Sequence, residues 1–189
     1  MVNIVAPSDS LGCAFAAKPL SLDAKSITAS ANIKPAGITV MTQGTYSVLA
    51  THLRMVLRWL EAQGEQPSPH FQRHGIDIAT LNQPRERLPA AAVDALLADL
   101  RDHFQRPCLG TELAEFHRLN DTHALGITLL ASDNGLQALE RGLRYQQLLS
   151  TGAPMYLEEH KGQVELIFVP QTFEQSRDVL GTYLLAMLW

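Results

Sequence analysis

The spacing of apolar residues constrains the fold of this 189-residue chain more than any other feature of its sequence. From residue 46 to residue 149, apolar side chains recur every three or four positions, in segments separated by glycine, proline or short polar stretches. Such spacing places the apolar side chains on one face of a helix. We therefore expect a series of helices, with stops at Gly64 and Gly75 and a short turn capped by Asp77. The expected helices cover residues 46–60, 68–74, 89–104, 109–116, 123–131 and 133–149, the last of them capped by Ser132 or Asp133.

The apolar spacing changes to alternation between residues 155 and 168. Met155 and Leu157 belong to one alternating run, and Val164 and Phe168 bound a second run. Alternation is typical of β-strands, and Gly162 between the runs predicts the turn of a hairpin. The sequence thus predicts a mostly α-helical α+β domain that contains one β-hairpin.

Helical spacing returns after the hairpin, from Phe173 onward. It continues to Trp189 without a cap or a stop signal. We expect a final helix here, and we expect that the C-terminal part of the domain lies beyond this chain.

Residues 1–43 differ in composition from the rest of the chain. They contain three of the four lysines and none of the eleven arginines, and they are rich in alanine, serine and threonine. They show no sustained apolar period. We expect a loosely ordered leader over residues 1–43, followed by one domain over residues 44–189.

Net charge and apolar content exclude several classes of function. The formal net charge is -4, which argues against binding of a phosphate backbone by this chain alone, since such binding needs a basic face. No apolar run approaches the length of a membrane span, and the first twenty residues lack the basic and apolar regions of a signal peptide. We therefore expect a cytoplasmic protein without a membrane partner.

Motifs of the common catalytic and metal sites do not occur in the sequence. There is no glycine-rich phosphate loop, no HExxH and no GxSxG. His70 and His74 are four residues apart and could share a helix face, but no third ligand lies near them in sequence. We expect neither an enzyme nor a bound metal or cofactor.

Several short segments occur in the order and spacing of a known family. In chain order they are Gly75-Ile76-Asp77 with Leu81, Arg87-Leu88-Pro89 with Val93, Leu109-Gly110 with Leu113, Leu125-Gly126 with Leu129, and Leu136, Ala138-Leu139, Arg144-Tyr145 and Leu148-Leu149. From residue 46 to residue 189 the chain resembles the arabinose-binding-type N-terminal domain of AraC/XylS-family transcription regulators. It is most similar to the branch that includes the ornithine-utilisation regulators.

This resemblance implies an effector-sensing and dimerisation domain. It implies a homodimer, a small-molecule effector, and contact with promoter DNA only through a C-terminal helix-turn-helix domain that is absent here. The candidate ligand-binding residues lie near the junction of the hairpin and the helix that precedes it. They are Arg144, Tyr145, Tyr156 and Phe168. Ordinary core packing is the alternative role for Tyr145 and Phe168.

Two apolar stripes on the final helix predict a self-association surface. One stripe suffices to pack a helix onto its own domain, so the second is left for a partner. The candidate interface residues are Val179, Leu180, Tyr183, Leu184 and Met187. The alternative is that the absent part of the domain covers them. An alternative for the whole chain is a standalone module that binds another protein rather than a small effector.

Overall fold

The computed structural model describes residues 2–5, 46–160, 163–169 and 171–188. The described α-helices are α1 (Arg54–Ala62), α2 (Pro67–Arg73), α3 (Ala90–His103), α4 (Leu109–Glu115), α5 (Ala124–Leu130), α6 (Gly135–Tyr145) and α7 (Arg177–Leu188). The described strands are β1 (Val2–Val5), β2 (Ser47–Leu49), β3 (Arg87–Pro89), β4 (Met155–His160) and β5 (Gln163–Phe168). The mostly α-helical α+β class is confirmed.

The expected stops between the early helices are confirmed. Gly64 and Gly75 have φ values of 80° and 70°, which side chains with a β-carbon rarely adopt. Between them lies α2, and after Gly75 the carboxylate of Asp77 accepts a hydrogen bond from the backbone amide of Ala79 at 2.9 Å. This contact caps a 3-10 turn over Ile78–Asn82.

The expectation of a helix from residue 46 is wrong for residues 47–49. These residues form β2, which pairs antiparallel with β3. The amide of Leu49 also donates to the carbonyl oxygen of Leu149 at 2.7 Å, and the Arg87 guanidinium donates to the hydroxyl and carbonyl oxygens of Ser47. Apolar spacing alone does not separate the two structures here, because the strand is decided by partners distant in the sequence.

Two other boundaries differ from the sequence-based expectation. The side chain of Asn134, rather than Ser132 or Asp133, caps α6 by accepting a hydrogen bond from the amide of Gln137 at 2.9 Å. The final helix begins at Arg177 rather than near Phe173, although Phe173 is buried in the core.

The predicted hairpin is present as β4 and β5, paired in register from Met155 opposite Phe168 to His160 opposite Gln163. Its turn, including Gly162, lies outside the described residues. β1 pairs parallel with β5 and completes a three-stranded sheet. Apart from β1, the leader expected over residues 1–43 also lies outside the described residues, and it stays a prediction.

Two contacts from distant elements fix the position of α7. A β-carbon on Gly110 in α4 would lie 1.9 Å from the carbonyl oxygen of Val179, so only glycine permits the two helix backbones to approach this closely. At the start of α7, the buried carboxylate of Asp94 accepts hydrogen bonds from the amides of Gln175 and Ser176 and from the Ser176 hydroxyl, at 3.2, 2.8 and 2.7 Å. Asp94 belongs to α3, so α7 is anchored to both α3 and α4.

The hydrophobic core lies among α1, α2, α3, α4 and α7. Trp59 is at its centre, fully buried, with its ring edge-on to Phe104 at 4.9 Å between ring centroids. Its indole N–H donates to the carboxylate of Glu112 at 3.1 Å. Within the described residues, no helix combines the length and the apolar character that crossing a membrane requires.

Candidate functional site

A cavity of about 170 Å³ lies beside the core, between α1, α3, α5, α7 and the hairpin. We refer to it as the apolar cavity. Most of its wall consists of aliphatic and aromatic side chains. They include Val56, Val93, Leu97, Leu125, Leu129, Met155, Phe168, Phe173, Leu180, Leu184 and Met187. Many apolar residues whose periodic spacing predicted helices therefore also line this cavity.

Three polar ring side chains lie together in the wall of the apolar cavity, and we refer to this part of the wall as the polar end. The rings of His52 and His117 lie 5.4 Å apart, and the Tyr183 ring lies 5.7 Å from His52 and 6.0 Å from His117. The Tyr183 hydroxyl is within hydrogen-bond distance of His117 Nδ1, at 2.8 Å. We refer to these three residues as the ring cluster.

The ring cluster is held in its uncharged form. Burial lowers the pKa of His52 from the usual 6.5 to about 3, and the neighbouring His117 adds to that effect. Burial also lowers the pKa of His117, and burial raises the pKa of Tyr183. Each shift has the same main cause, which is that the charged form loses hydration in apolar surroundings. At neutral pH the cluster therefore supplies neutral hydrogen-bonding groups and no net charge.

His52 Nδ1 is buried without a hydrogen-bond partner among the described residues. A buried polar atom without a partner costs free energy, on the order of 1–3 kcal/mol. His52 lines the apolar cavity, so a molecule in the cavity would lie beside this ring. The unpartnered nitrogen is thus one sign that the polar end is built to receive a ligand group.

An ion-pair network lies next to the polar end and holds the segment around His117 in place. The buried carboxylate of Asp121 pairs with Arg58 and, at 3.6 Å, with Arg54. Arg58 also donates two hydrogen bonds to the carbonyl oxygen of Phe116, at 3.0 and 2.7 Å. These contacts hold the residues next to His117 against α1, so the position of the ring cluster depends on a chain segment far from His52.

Of the four predicted ligand-binding residues, Phe168 lines the apolar cavity. Tyr156 is half-buried, and Arg144 and Tyr145 are exposed, with 43% of Tyr145 accessible. None of these three is among the residues that line the cavity. The structure therefore does not gather the four residues into one site.

The five predicted interface residues on α7 face the protein's own interior to different degrees. Val179 and Tyr183 are buried, at 1% and 4% exposure. Leu180, Leu184 and Met187 line the apolar cavity together with Tyr183, and Met187 is 38% exposed. Leu180, Leu184 and Met187 thus have a use within one molecule, since they form part of the cavity wall.

His52 is the residue that sequence reasoning missed most clearly. It lies within a segment of otherwise helical apolar spacing and belongs to no motif. Its partners in the ring cluster come from the segment after α4 and from α7. No local sequence pattern predicts such a cluster, because its members come together only in the folded chain.

His70 lies on α2 and His74 directly follows that helix; His70 Nδ1, like His52 Nδ1, is buried without a hydrogen-bond partner among the described residues. His70 lies edge-on to His103 and is 3.7 Å from a carboxylate oxygen of Glu65, while His74 is 3.3 Å from the carboxylate of Asp99. In the part of the chain that the structure describes, no three His, Cys, Asp or Glu side chains are grouped so that they could hold a metal ion.

Comparison with known proteins identifies the family of this chain. No curated protein matches the chain. A family model described as the arabinose-binding domain of AraC transcription regulator, N-terminal, matches residues 64–189, which is more than half of the chain. The matched region includes α2 to α7, the hairpin and most of the cavity wall. The chain therefore belongs to the family of arabinose-binding N-terminal domains of AraC transcription regulators, a family of regulatory rather than catalytic domains.

Proposed function

We propose that this chain is the effector-sensing domain of a bacterial AraC-type transcription regulator. The observation that carries the proposal is the apolar cavity with its one polar end. A concave, mostly apolar space with a few convergent polar groups is the usual form of a small-molecule site. The cavity is lined by elements from the early and the late parts of the chain, so an occupant would contact both parts.

Helix α7 is the element through which an occupant would act. It contributes Leu180, Leu184 and Met187 to the cavity wall and is anchored elsewhere by Asp94 and Gly110. A ligand shifts an equilibrium only by its difference in affinity for the two arrangements. We propose that the occupant favours one packing of α7, and that this packing sets the position of a helix-turn-helix domain that follows in the intact protein.

We also propose that the intact regulator is a cytoplasmic homodimer of the ornithine-utilisation-regulator-like branch. The branch proposal rests on the order and spacing of the short sequence segments, among which residues 132–149 form the strongest stretch. Dimer contacts through Val179 and Tyr183 would require α7 to leave the core, since the monomer buries both side chains. We therefore propose the dimer contact at the other three predicted residues, Leu180, Leu184 and Met187, which the monomer leaves partly accessible, and sedimentation analysis of the purified chain tests it.

The function is tested by filling the apolar cavity in the intact regulator. Leu129 lines the cavity, whereas its neighbour Leu130 is 69% exposed, so the pair gives a matched comparison. We expect Leu129→Trp to abolish effector-dependent transcription of a reporter gene at the regulator's own promoter. Leu130→Trp is expected to keep the response. An unchanged response in a folded Leu129→Trp variant would contradict a sensing role for this cavity.

A further inference from the structure

The wall of the apolar cavity restricts the chemistry of its occupant. Among the described residues that line it, none is acidic and none is a lysine or an arginine. The histidines of the ring cluster are neutral at pH 7, as described above. A charged ligand would lose its hydration here without gaining a charged partner, at a cost of several kcal/mol or more.

Most polar groups that reach the cavity already have partners within the protein. The Gln146 side chain donates to the carbonyl oxygens of Leu143 and Met155 and accepts from the amide of Met155, at 2.8, 2.7 and 2.6 Å. The Thr122 hydroxyl donates to the carbonyl oxygen of Leu119 at 2.7 Å. A sugar presents a hydroxyl on nearly every carbon, and each buried hydroxyl needs a partner. The free hydrogen-bonding capacity of this cavity is concentrated at the ring cluster and serves one or two groups.

The volume of the cavity limits how much of an occupant it encloses. At about 170 Å³ it is close to the engineered apolar cavity of roughly 150 Å³ that binds benzene. An occupant of this size has one small ring or a short aliphatic chain. The phenyl ring of Phe168 and the side chains of α5 and α7 would contact it on several sides.

We infer that the apolar cavity binds a small, uncharged, mainly apolar molecule with a single polar group placed at the ring cluster, and that it does not bind a sugar. This inference rests on the proposed sensing function and narrows the class of effector. Although the family's description names arabinose, we therefore do not expect arabinose to be the ligand of this chain. The polar group of the ligand would lie beside His52, whose Nδ1 has no partner among the described residues.

Direct binding to the purified chain tests the inference. The probes are phenol, toluene, L-arabinose and L-ornithine, followed by ligand-observed NMR at neutral pH. We expect saturable binding of phenol and toluene, and no saturable binding of arabinose or ornithine. Leu129→Trp should abolish binding of both aromatic probes, and Leu130→Trp should leave it unchanged.

A second variant tests the polar end. His52→Phe keeps a ring at this position and removes both nitrogens, so phenol should bind about 2- to 10-fold more weakly, the value of one neutral hydrogen bond. Toluene, which makes no such bond, should lose less affinity than phenol, so the ratio of the two affinities measures the hydrogen bond. Circular dichroism and thermal melting establish that each variant is folded, and Leu129→Phe replaces Leu129→Trp if the larger ring prevents folding.

The outcomes separate this inference from the proposed function. Saturable binding of arabinose or ornithine, lost in Leu129→Trp, would overturn the inference while leaving a sensing role intact. Failure of all four probes to bind the folded wild-type chain would overturn the inference, and the reporter experiment would then decide the proposed function on its own. Binding of aromatic probes that survives in a folded Leu129→Trp variant would place their site elsewhere and would also overturn the inference.

Discussion

At the scale of single residues, burial changes the protonation of His52. Its imidazole ring lies against His117 and Tyr183, and burial lowers the pKa of His52 to about 3. In the unfolded chain the same group has its ordinary pKa of 6.5. Between these two values the unfolded state binds a proton that the folded state does not bind.

This difference predicts that acid destabilises the protein through His52. Because unfolding takes up a proton, the free energy of unfolding should fall as the pH falls from 6.5 towards 3, by up to about 1.4 kcal/mol per pH unit. His52→Phe should remove this part of the slope. Urea unfolding at several pH values measures it. His103→Phe, at an exposed position on α3, is the matched control for replacing a histidine by phenylalanine. Equal slopes in wild type and His52→Phe would show that His52 is protonated alike in both states.

At the scale of elements, the crossing of α4 and α7 shows how one glycine determines a wall of the cavity. A β-carbon on Gly110 would lie 1.9 Å from the carbonyl oxygen of Val179 and 2.6 Å from the amide nitrogen of Tyr183. Backbone atoms of a helix do not move aside as the end of a flexible side chain does. Any larger residue at position 110 would therefore displace α7 together with the ring cluster and the cavity wall.

Gly110→Ala is expected to destabilise the protein by about 3 kcal/mol or more, because the overlap is with backbone. It should also weaken binding of toluene, since α7 forms part of the binding wall. The matched variant is Gly181→Ala within α7, where an added β-carbon meets nothing within 4 Å. There the substitution should stabilise the helix by about 0.5–1 kcal/mol. Chemical denaturation measures both. Equal effects of the two substitutions would contradict the close crossing.

At the scale of the whole molecule, charge limits what the chain does alone. The chain has a net charge of -4. Several of its arginines form ion pairs with its own carboxylates. Arg58 pairs with Asp121, Arg73 with Asp99, and Arg101 with Asp178. Phosphate-backbone binding needs a set of cations that remain available on one face. Arg58, Arg73 and Arg101 instead hold the chain's own elements together.

The purified chain is therefore expected to show no specific binding to duplex DNA at physiological salt. A gel-shift experiment with the promoter region of the regulator measures this. A control is the intact regulator, whose proposed helix-turn-helix domain should bind the same duplex. Salt-sensitive nanomolar retention of the duplex by this chain alone would contradict the expectation and would assign DNA contacts to the sensing domain.

The amino-acid sequence by itself determined the features that depend on neighbours along the chain. Helical spacing located α2 to α6, glycine at Gly64 and Gly75 marked the stops, and alternation located the hairpin. The short sequence segments also identified the family, which the match over residues 64–189 supports. These signals are readable because an amphipathic helix, a turn and a strand each impose a local period or a local backbone conformation.

The tertiary structure alone decided the features that depend on distant residues. It turned residues 47–49 into a strand, because their backbone partners are Arg87–Pro89 and Leu149. It placed Leu180, Leu184 and Met187 of α7 in the wall of a cavity, and it brought His52, His117 and Tyr183 into one cluster. Apolar spacing predicts that a side chain is buried, but it does not predict which residues the side chain packs against. The site therefore became visible only once long-range packing had set those partners.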